Sequence, residues 1–589
     1  MIRQNCAADI HKPYLLLERT HTDTGTLPNF RQGDAIVLYE RNISEDNVTN
    51  KMVFKGNIET ISDSDIRVRL RAAQQNVEVL PMNSRYAIEH DYMDTSFRCM
   101  YWGLSAFLSA TKDRRDLLLN RREPEFDSAF NGAIAAADND FVRITLKAQA
   151  AKDYFLLIGP PGTGKTSRAL RSMVETFYRE GKEILLLSYT NRAVDEICKM
   201  LTAITPEVDF IRIGSELSCD EVYRPHLIEN MLESCSTRRE VQERMACCRI
   251  FVGTVATLSA KTELFRLKTF DVALIDEATQ ILEPQLLGLL CMRSVAGGNA
   301  IGKFVLIGDH KQLPAVVLQS SEQSEVQDES LRAIGLCNLK DSLFERLYRN
   351  AIKQPLACGE EASTFNSQLS ASNSFDILCR QGRMNVEVAA FPNHAFYGGL
   401  LQPVGLEHQT GTIELSPELS TNEFAALLTR RVAFIPSTPE QPMQSAKINH
   451  SEAKIVARLA AAVYRQYIFA TGCFNAASTL GIITPYRSQI ALIKKEIADL
   501  GIKELNDVLI DTVERFQGSE RDVIIYSFCV NRVSQLKLLA NLTEENGVQI
   551  DRKLNVALTR ARKQMFITGV PQLLKQNSIY SRLLQSCES

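Results

Sequence analysis

The octapeptide GPPGTGKT, Gly159 to Thr166, concentrates groups that handle phosphate. Its glycines let successive backbone N–H groups turn toward one oxyanion, Lys165 adds a full positive charge, and Thr166 adds a hydroxyl able to ligate a hard cation. An apolar run, FLLI, precedes it and the helical stretch SRALRSMVETFYRE follows, so strand, loop and helix are expected in that order. In that setting Gly159, Pro160, Pro161, Gly162, Thr163, Gly164, Lys165, Thr166 and Ser167 would hold a nucleoside triphosphate, with Lys165 on the β- and γ-phosphates. A second set of groups, Asp276 and Glu277, closes the apolar run DVALI. Such a pair can cap the next helix. It can also serve phosphoryl transfer, with Asp276 sharing Mg²⁺ with Thr166 and Glu277 activating the attacking water.

These groups need a rigid frame, and the chain carries the pattern of one. Short apolar runs recur at 155–159, 183–189, 249–254, 271–276 and 303–309, then at 431–435, 479–486, 507–513, 522–528 and 565–569. Such runs, each buried on both faces, are what parallel sheets covered by helices require. The expected fold class is α/β, with parallel-sheet domains at 136–351 and 376–589 and a polar, small-residue linker at 352–375. Ahead of them, residues 29–97 read as the short strands of a small β-barrel, because Ile66, Val68 and Leu70 alternate with Arg67, Arg69 and Arg71. Those arginines fit a solvated strand face. Residues 98–135 read as charged, solvent-facing helices, and 1–28 as an N-terminal extension.

The chain has 589 residues, 67 basic and 70 acidic, for a formal net charge of −3. With 45% hydrophobic and 23% charged residues it is neither fibrous nor wholly disordered. No apolar run reaches the ~18 residues of a membrane span, and the first twenty residues lack the apolar core of a secretory signal. A cytoplasmic location, or a nuclear one in a eukaryote, is expected rather than secretion. The 14 cysteines include no CxxC pair. The adjacent Cys247 and Cys248 fit packing on a helix, Cys6 with His11 comes nearest to a ligand pair, and buried free thiols suit the pattern better than zinc. Near-neutral charge argues against a basic coat protein but leaves local grooves open to nucleic acid.

Beyond the two phosphate-handling motifs stand SYTNRAVDEI (188–197), FVGTVATL (251–258), DEATQ (276–280), GDHKQLPA (308–315), QGRM (381–384), ITPYRSQI (483–490), TVERFQGSERDVII (512–525) and LNVALTRAR (554–562). This ordered set closely resembles the superfamily 1 helicases. The subgroup is the one that contains the nonsense-mediated-decay RNA helicase and the Okazaki-fragment nuclease-helicase. The resemblance runs from about Tyr154 to Gly569. It implies two RecA-like domains that sandwich ATP and Mg²⁺, with Gln312 sensing the γ-phosphate, Arg383 and Arg560 acting as arginine fingers, and Glu520 on the ribose. It places Tyr189, Thr190, Asn191, Thr254, Thr257, Pro485, Tyr486, Thr512 and Arg515 on the nucleic-acid side. Each has an ordinary structural use, since Ser and Thr at strand ends often cap helices. The resemblance also assigns residues 29–97 to an accessory barrel, 98–135 to its helical stalk, and 201–250 to a helical insertion.

The chain departs from the subgroup at two positions that would contact the base. Phe141 stands where the subgroup has an adenine-reading glutamine, with Gln149 too near the loop to replace it, and Gly382 stands where a stacking tyrosine is usual. Looser nucleotide selectivity follows as an expectation. The activity implied is an ATP-dependent, 5′-to-3′ translocase or helicase on single-stranded nucleic acid, DNA rather than RNA, acting as a monomer with accessory repair or replication proteins and no membrane. The rival is an ATP-gated clamp that remodels nucleoprotein without unwinding. No carboxylate–carboxylate–lysine nuclease cluster is evident within residues 1–150.

Overall fold

The computed structural model describes residues 2–6, 14–19, 30, 32–62, 64–71, 77–91, 95–353, 373–440, 445–545 and 547–588. They form two compact units, residues 1–98 with 215–218 and residues 99–214 with 219–589. His11 and most of the expected linker, 354–372, lie outside the described residues.

The first unit is one antiparallel sheet. Strands β1 (Ile2–Cys6), β2 (Tyr14–Glu18), β3 (Ala35–Glu40), β4 (Val53–Ile61), β5 (Asp65–Leu70) and β6 (Tyr86–His90) lie in the order β1-β2-β5-β4-β3-β6. The sheet therefore starts at Ile2, inside the stretch expected to be an extension. Leu15 and Leu17 of β2 stand opposite Val68 and Ile66 of β5, and because Leu16 between them is apolar too, the alternating burial of YLLLE does not show in sequence. Leu15, Ile36, Leu38, Ile58 and Val68 are fully buried in one core. Arg67 and Arg69 both pair with Glu59, the former at 2.7 Å, and Arg71 pairs with Asp91 at 3.0 Å. That arginine row is spent on carboxylates of its own sheet.

The second unit holds two parallel sheets. In the first, β7 (Tyr154–Ile158), β8 (Ile184–Ser188), β9 (Phe210–Ile213), β10 (Ile250–Thr254), β11 (Phe270–Ile275), β12 (Ile301–Gly308) and β13 (Phe375–Ile377) run in the order β13-β7-β12-β11-β8-β10-β9. Leu156, Leu185, Ala273 and Leu306 enter the core on one face, and Phe155, Leu186, Leu274 and Val305 the core on the other. Burial on both faces is why consecutive positions within β7, β8, β11 and β12 are apolar. The stretch 201–250, expected to be a helical insertion, contains β9 as an edge strand, then 3₁₀ turns at Glu216–Ser218 and Glu221–His226 and α-helices at Ile228–Leu232 and Arg238–Cys247. Arg212, buried in the middle of β9 against Asp195, conceals the strand from a hydrophobicity pattern. Strand β13, at the expected end of the linker, pairs with β7.

The charged helices also differ from expectation. Arg114, in the helix Lys112–Leu118, is buried and donates to the carbonyls of Ile301 and Gly302 at 2.8 and 2.7 Å, so it supports the start of β12 instead of facing solvent.

The second sheet follows a short parallel pair, β14 (Arg380–Gln381) with β15 (Gln402–Pro403). Its strands are β16 (Val432–Pro436), β17 (Leu480–Ile483), β18 (Leu509–Asp511), β19 (Arg521–Ser527) and, beyond a hairpin of β20 (Leu542–Glu545) and β21 (Val548–Asp551), β22 (Ala561–Gly569). The order is β16-β22-β19-β17-β18, all parallel. Ile524, Tyr526, Met565 and Ile567 face one core, and Val523, Ile525 and Phe566 the other.

Candidate nucleotide site

The phosphate-type loop leaves the end of β7. Gly162 and Gly164 have φ of +73° and +80°, a region glycine enters without steric cost. The carbonyl of Gly164 accepts from the N–H groups of both Arg168 and Ala169 at 3.0 Å, which opens a wide first turn over Lys165–Leu170 before the helix Arg171–Arg179. Asp276 and Glu277 follow β11, the strand two places from β7 in the sheet. Thr166 Oγ1 donates to Asp276 Oδ2 at 2.6 Å, and Lys165 Nζ lies 2.6 Å from Glu277 Oε1. The pair does not cap the next helical turn, Ala278–Gln280, by a side-chain hydrogen bond. Glu277 has φ of +54°, a backbone strain of about 1–3 kcal/mol that the surrounding bonds must hold, among them Gln280 Nε2 donating to Glu277 Oε2 at 2.8 Å.

The electrostatics follow from burial. Burial opposes charge on Lys165, but Glu277 and Asp276 outweigh it and raise its pKa. Burial likewise works against ionised Glu277, and Lys165 overcomes it and lowers that pKa. For Asp276 burial wins and raises the carboxyl above its ordinary range. Two oxygens, Thr166 Oγ1 and Asp276 Oδ2, thus converge beside the loop, and hard oxygen donors are the set that Mg²⁺ prefers.

The second sheet supplies the facing wall. Arg560, between the helix Arg552–Leu558 and β22, is buried and donates from Nη2 to Gln312 Oε1 at 2.9 Å, while Gln312 Nε2 donates to Asp309 Oδ2 at 2.7 Å. Burial, with the guanidinium of Arg383 nearby, lowers the pKa of Arg560 to about 9. Arg383 Nε lies 2.6 Å from Glu520 Oε2. The loop carrying Arg383 meets the phosphate-type loop directly: Gly382 N donates to Gly162 O at 2.9 Å, and a Cβ on Gly162 would lie 2.5 Å from Arg383 Cβ. Lys165, Thr166, Asp276 and Glu277 are thus brought together, Gln312 is joined to Arg560, and Arg383 to Glu520.

Three further residues complete the network. Tyr397 donates to Asp309 Oδ2 at 2.7 Å, and Asn555 Nδ2 donates to both the Tyr397 hydroxyl at 2.8 Å and the Lys311 carbonyl at 2.7 Å. Asp309 and Asn555 lie within motifs already singled out, GDHKQLPA and LNVALTRAR. Tyr397 ends the helix Val386–Tyr397 and belongs to none of those motifs, so no sequence signal pointed to it.

A cleft of about 900 Å³ runs beside this site and reaches Glu277 and Gln280. Among its walls are Tyr189, Thr190 and Arg515, and the Arg515 carbonyl accepts from Arg192 Nη1 at 3.2 Å. The remaining expected nucleic-acid positions do not line it. Asn191 opens the helix Asn191–Thr202, which Thr190 Oγ1 caps through the Ala193 N–H. Thr254 Oγ1 caps the helix Val255–Ala260 through the Thr257 N–H, and the two threonine hydroxyls lie 2.8 Å apart. Pro485 is half-buried; the Tyr486 hydroxyl accepts from Gln535, and its ring packs on the core of the second sheet. Thr512 precedes the short helix Val513–Phe516 and donates its N–H to Asp511. Gln149 is tied to Glu180, and Gly382 adds no side chain beside the loop.

Comparison with known proteins adds an independent line. A family model described as an AAA domain matches residues 136–248 and 236–320, and a second of the same description matches residues 339–572. A DNA replication ATP-dependent helicase/nuclease, JHS1 of Arabidopsis thaliana, is 29% identical over 94% of this chain and 38% of its own length. The DNA replication ATP-dependent helicase/nuclease DNA2 of Bos taurus is 28% identical over 93% of this chain and 49% of its own. The chain thus spans half or less of the length of these two relatives. A DNA polymerase alpha-associated DNA helicase A of Saccharomyces cerevisiae is 24% identical over 95% of this chain and 83% of its own.

Proposed function

The chain belongs to the superfamily 1 helicases, and from that premise we propose that it is an ATP-driven translocase or helicase on single-stranded DNA, moving 5′ to 3′ with the two parallel sheets as a RecA-like motor pair. The observation that carries this is the hydrogen bond from Arg560 to Gln312, which joins one sheet to the other beside Lys165 and Glu277. A nucleotide held at the phosphate loop would meet cations from both sides, and closure of the cleft would then depend on its phosphates.

The chemistry follows from the pairing of charges. A triphosphate competes with Glu277 for Lys165. Once Lys165 turns to the phosphate oxygens, Glu277 is released as a base for the water that attacks the γ-phosphorus. Gln312, its amide oriented by Asp309 and Arg560, is placed to hold that water. Arg560 and Arg383 then neutralise charge on the transferred group, Arg383 leaving Glu520, whose carboxylate is freed for the ribose. Mg²⁺, when bound by Thr166 and Asp276, would supply further neutralisation of phosphate charge. Tyr189, Thr190 and Arg515 make the large cleft the place where a single strand would pass, gripped by backbone and stacking contacts that tolerate any sequence. The antiparallel sheet at 2–90 corresponds in this reading to the accessory barrel, with the helices after residue 95 as its stalk.

Steady-state ATP hydrolysis, measured alone, with single-stranded DNA and with single-stranded RNA, tests the proposal. Stimulation by DNA above RNA, abolished in Lys165→Ala, together with opening of a duplex bearing a 5′ tail, is the expected result. Hydrolysis indifferent to either polymer would overturn it.

A further inference from the structure

Beside the phosphate loop lies a cleft of about 410 Å³ lined by Phe141, Ser167, Arg168, Arg171, Ser172 and Glu175, a volume within the range of small-ligand sites. Five of these residues stand on the helical stretch that continues the loop, the first of them one position past Thr166. A base attached to phosphates held at Lys165 and Thr166 falls within reach of this cleft.

What the walls offer a base depends on which polar groups are already committed. Arg171 Nε is 2.7 Å from Glu175 Oε1, and its Nη2 donates to the Ala203 carbonyl at 3.1 Å, so that cation and carboxylate satisfy each other. The Ser172 hydroxyl is 2.8 Å from that of Thr145. No amide side chain lines the cleft. The nearby Asn139 accepts the Phe141 N–H with its side-chain oxygen, capping the helix Asp140–Ala150, and Gln149 is held by Glu180. Phe141 and Arg168 remain. The Arg168 guanidinium lies 5.8 Å from the centroid of the Phe141 ring and has no side-chain hydrogen bond or ion pair among the described residues.

An aromatic ring and a guanidinium at the mouth of one cleft are two planes on which nucleobases stack. Stacking tolerates any base because every base has a π-face, whereas choosing adenine requires a group such as an amide on its N6 and N7 edge. We infer that the base is held by stacking between Phe141 and Arg168, and that the enzyme therefore hydrolyses nucleoside triphosphates without selecting adenine. The inference rests on the proposed hydrolysis at the phosphate loop and specifies its substrate class. Arg168 is exposed, so its side chain can move outward to admit a ring between the two planes.

The test is kcat/KM for ATP, ITP, GTP and UTP with single-stranded DNA present, for the wild type, Phe141→Ala, Arg168→Ala and Phe141→Gln. ITP carries a 6-oxo group and an N1–H where ATP carries a 6-amino group and a bare N1, and so isolates edge reading from stacking. Expected are ITP and GTP within about threefold of ATP in the wild type, and KM raised about tenfold for every nucleotide in the two alanine variants with kcat little changed. In Phe141→Gln a preference for ATP over ITP of about tenfold should appear. A wild-type preference for ATP over ITP of about thirtyfold or more, or alanine variants with unaltered KM, would overturn the inference. Absence of hydrolysis with every nucleotide would instead remove the proposed function. Base selectivity would then be decided by fluorescence titration of mant-ATP against mant-GTP, where equal affinities support stacking and about tenfold tighter mant-ATP refutes it.

Discussion

In the proposed mechanism Glu277 is the residue at which binding and turnover would separate. Its carboxylate neutralises Lys165 at 2.6 Å, so Glu277→Gln leaves that ammonium without its charged partner and more available to phosphate. Nucleotide affinity should hold or rise while kcat falls by about 10²-fold or more, the usual worth of a positioned base. Equilibrium binding of a fluorescent nucleotide beside single-turnover hydrolysis would read both, and a variant that hydrolyses at the wild-type rate would remove Glu277 from the role of base. Arg560 is different, because it touches Gln312 and not the phosphate loop. Arg560→Ala should lower kcat by about 10³-fold with little change in nucleotide affinity, as expected of a group that acts on the transferring phosphoryl. Asp309 and Tyr397 bear on the same step through Gln312, and only the folded chain shows it, since Tyr397 is 88 positions from the carboxylate it meets.

At the scale of the element, the helix His450–Thr471 carries a buried acid with no counter-ion in hydrogen-bond contact among the described residues. Glu452 accepts from the Ser527 hydroxyl at 2.6 Å and the Cys529 N–H at 2.8 Å, and burial pushes its pKa up to about 7. Unfolded, the same group titrates near 4.5. The folded chain therefore keeps a proton that the unfolded chain releases, so this contribution to stability is complete below about pH 4.5 and is lost as pH rises through about 7. The loss amounts to about 3 kcal/mol. Glu452→Gln retains an acceptor for both donors and removes the ionisation, so its melting temperature should exceed that of the wild type at pH 8 and match it at pH 5. Equal melting temperatures at pH 8 would show that Glu452 is ionised without cost. The elements legible in sequence were those with a continuous apolar stretch: β7, β8, β11, β17 and β19 each carry one because both of their faces are buried. Strand β9 escaped because Arg212 lies buried within it beside Asp195, and β2 because its three consecutive leucines mask an alternation of burial. A single partnered charge inside a four-residue strand is enough to hide it from a count of apolar side chains.

Across the larger unit, the sheets are joined by groups that no local pattern reveals. Glu345, on the helix Leu343–Lys353, meets Arg552 at 2.5 Å with both side chains buried, and Glu545 of the β20–β21 hairpin reaches Lys311 at 2.8 Å and His310 at 3.2 Å. Arg552→Ala leaves Glu345 buried without its cation and should cost about 3–5 kcal/mol, seen as an early thermal transition. Loss of under about 1 kcal/mol would mean the pair is open to water. The phosphate loop and its carboxylates were legible because one short motif holds each, whereas the pairings between sheets depend on residues 200 or more positions apart, as Glu345 and Arg552 are. The contact of Gly162 with the Arg383 loop makes position 162 a shim between two plates. One methyl group there has no room, with its Cβ 2.5 Å from that of Arg383, whereas a methyl at Gly164 comes no nearer than 3.4 Å and only to Arg168. Both positions have positive φ, so Gly162→Ala and Gly164→Ala share the backbone penalty and differ in the wedge. The thickness of one carbon atom at 162 would then set how closely the plate carrying Arg383 can seat, and turnover would become a gauge of that spacing.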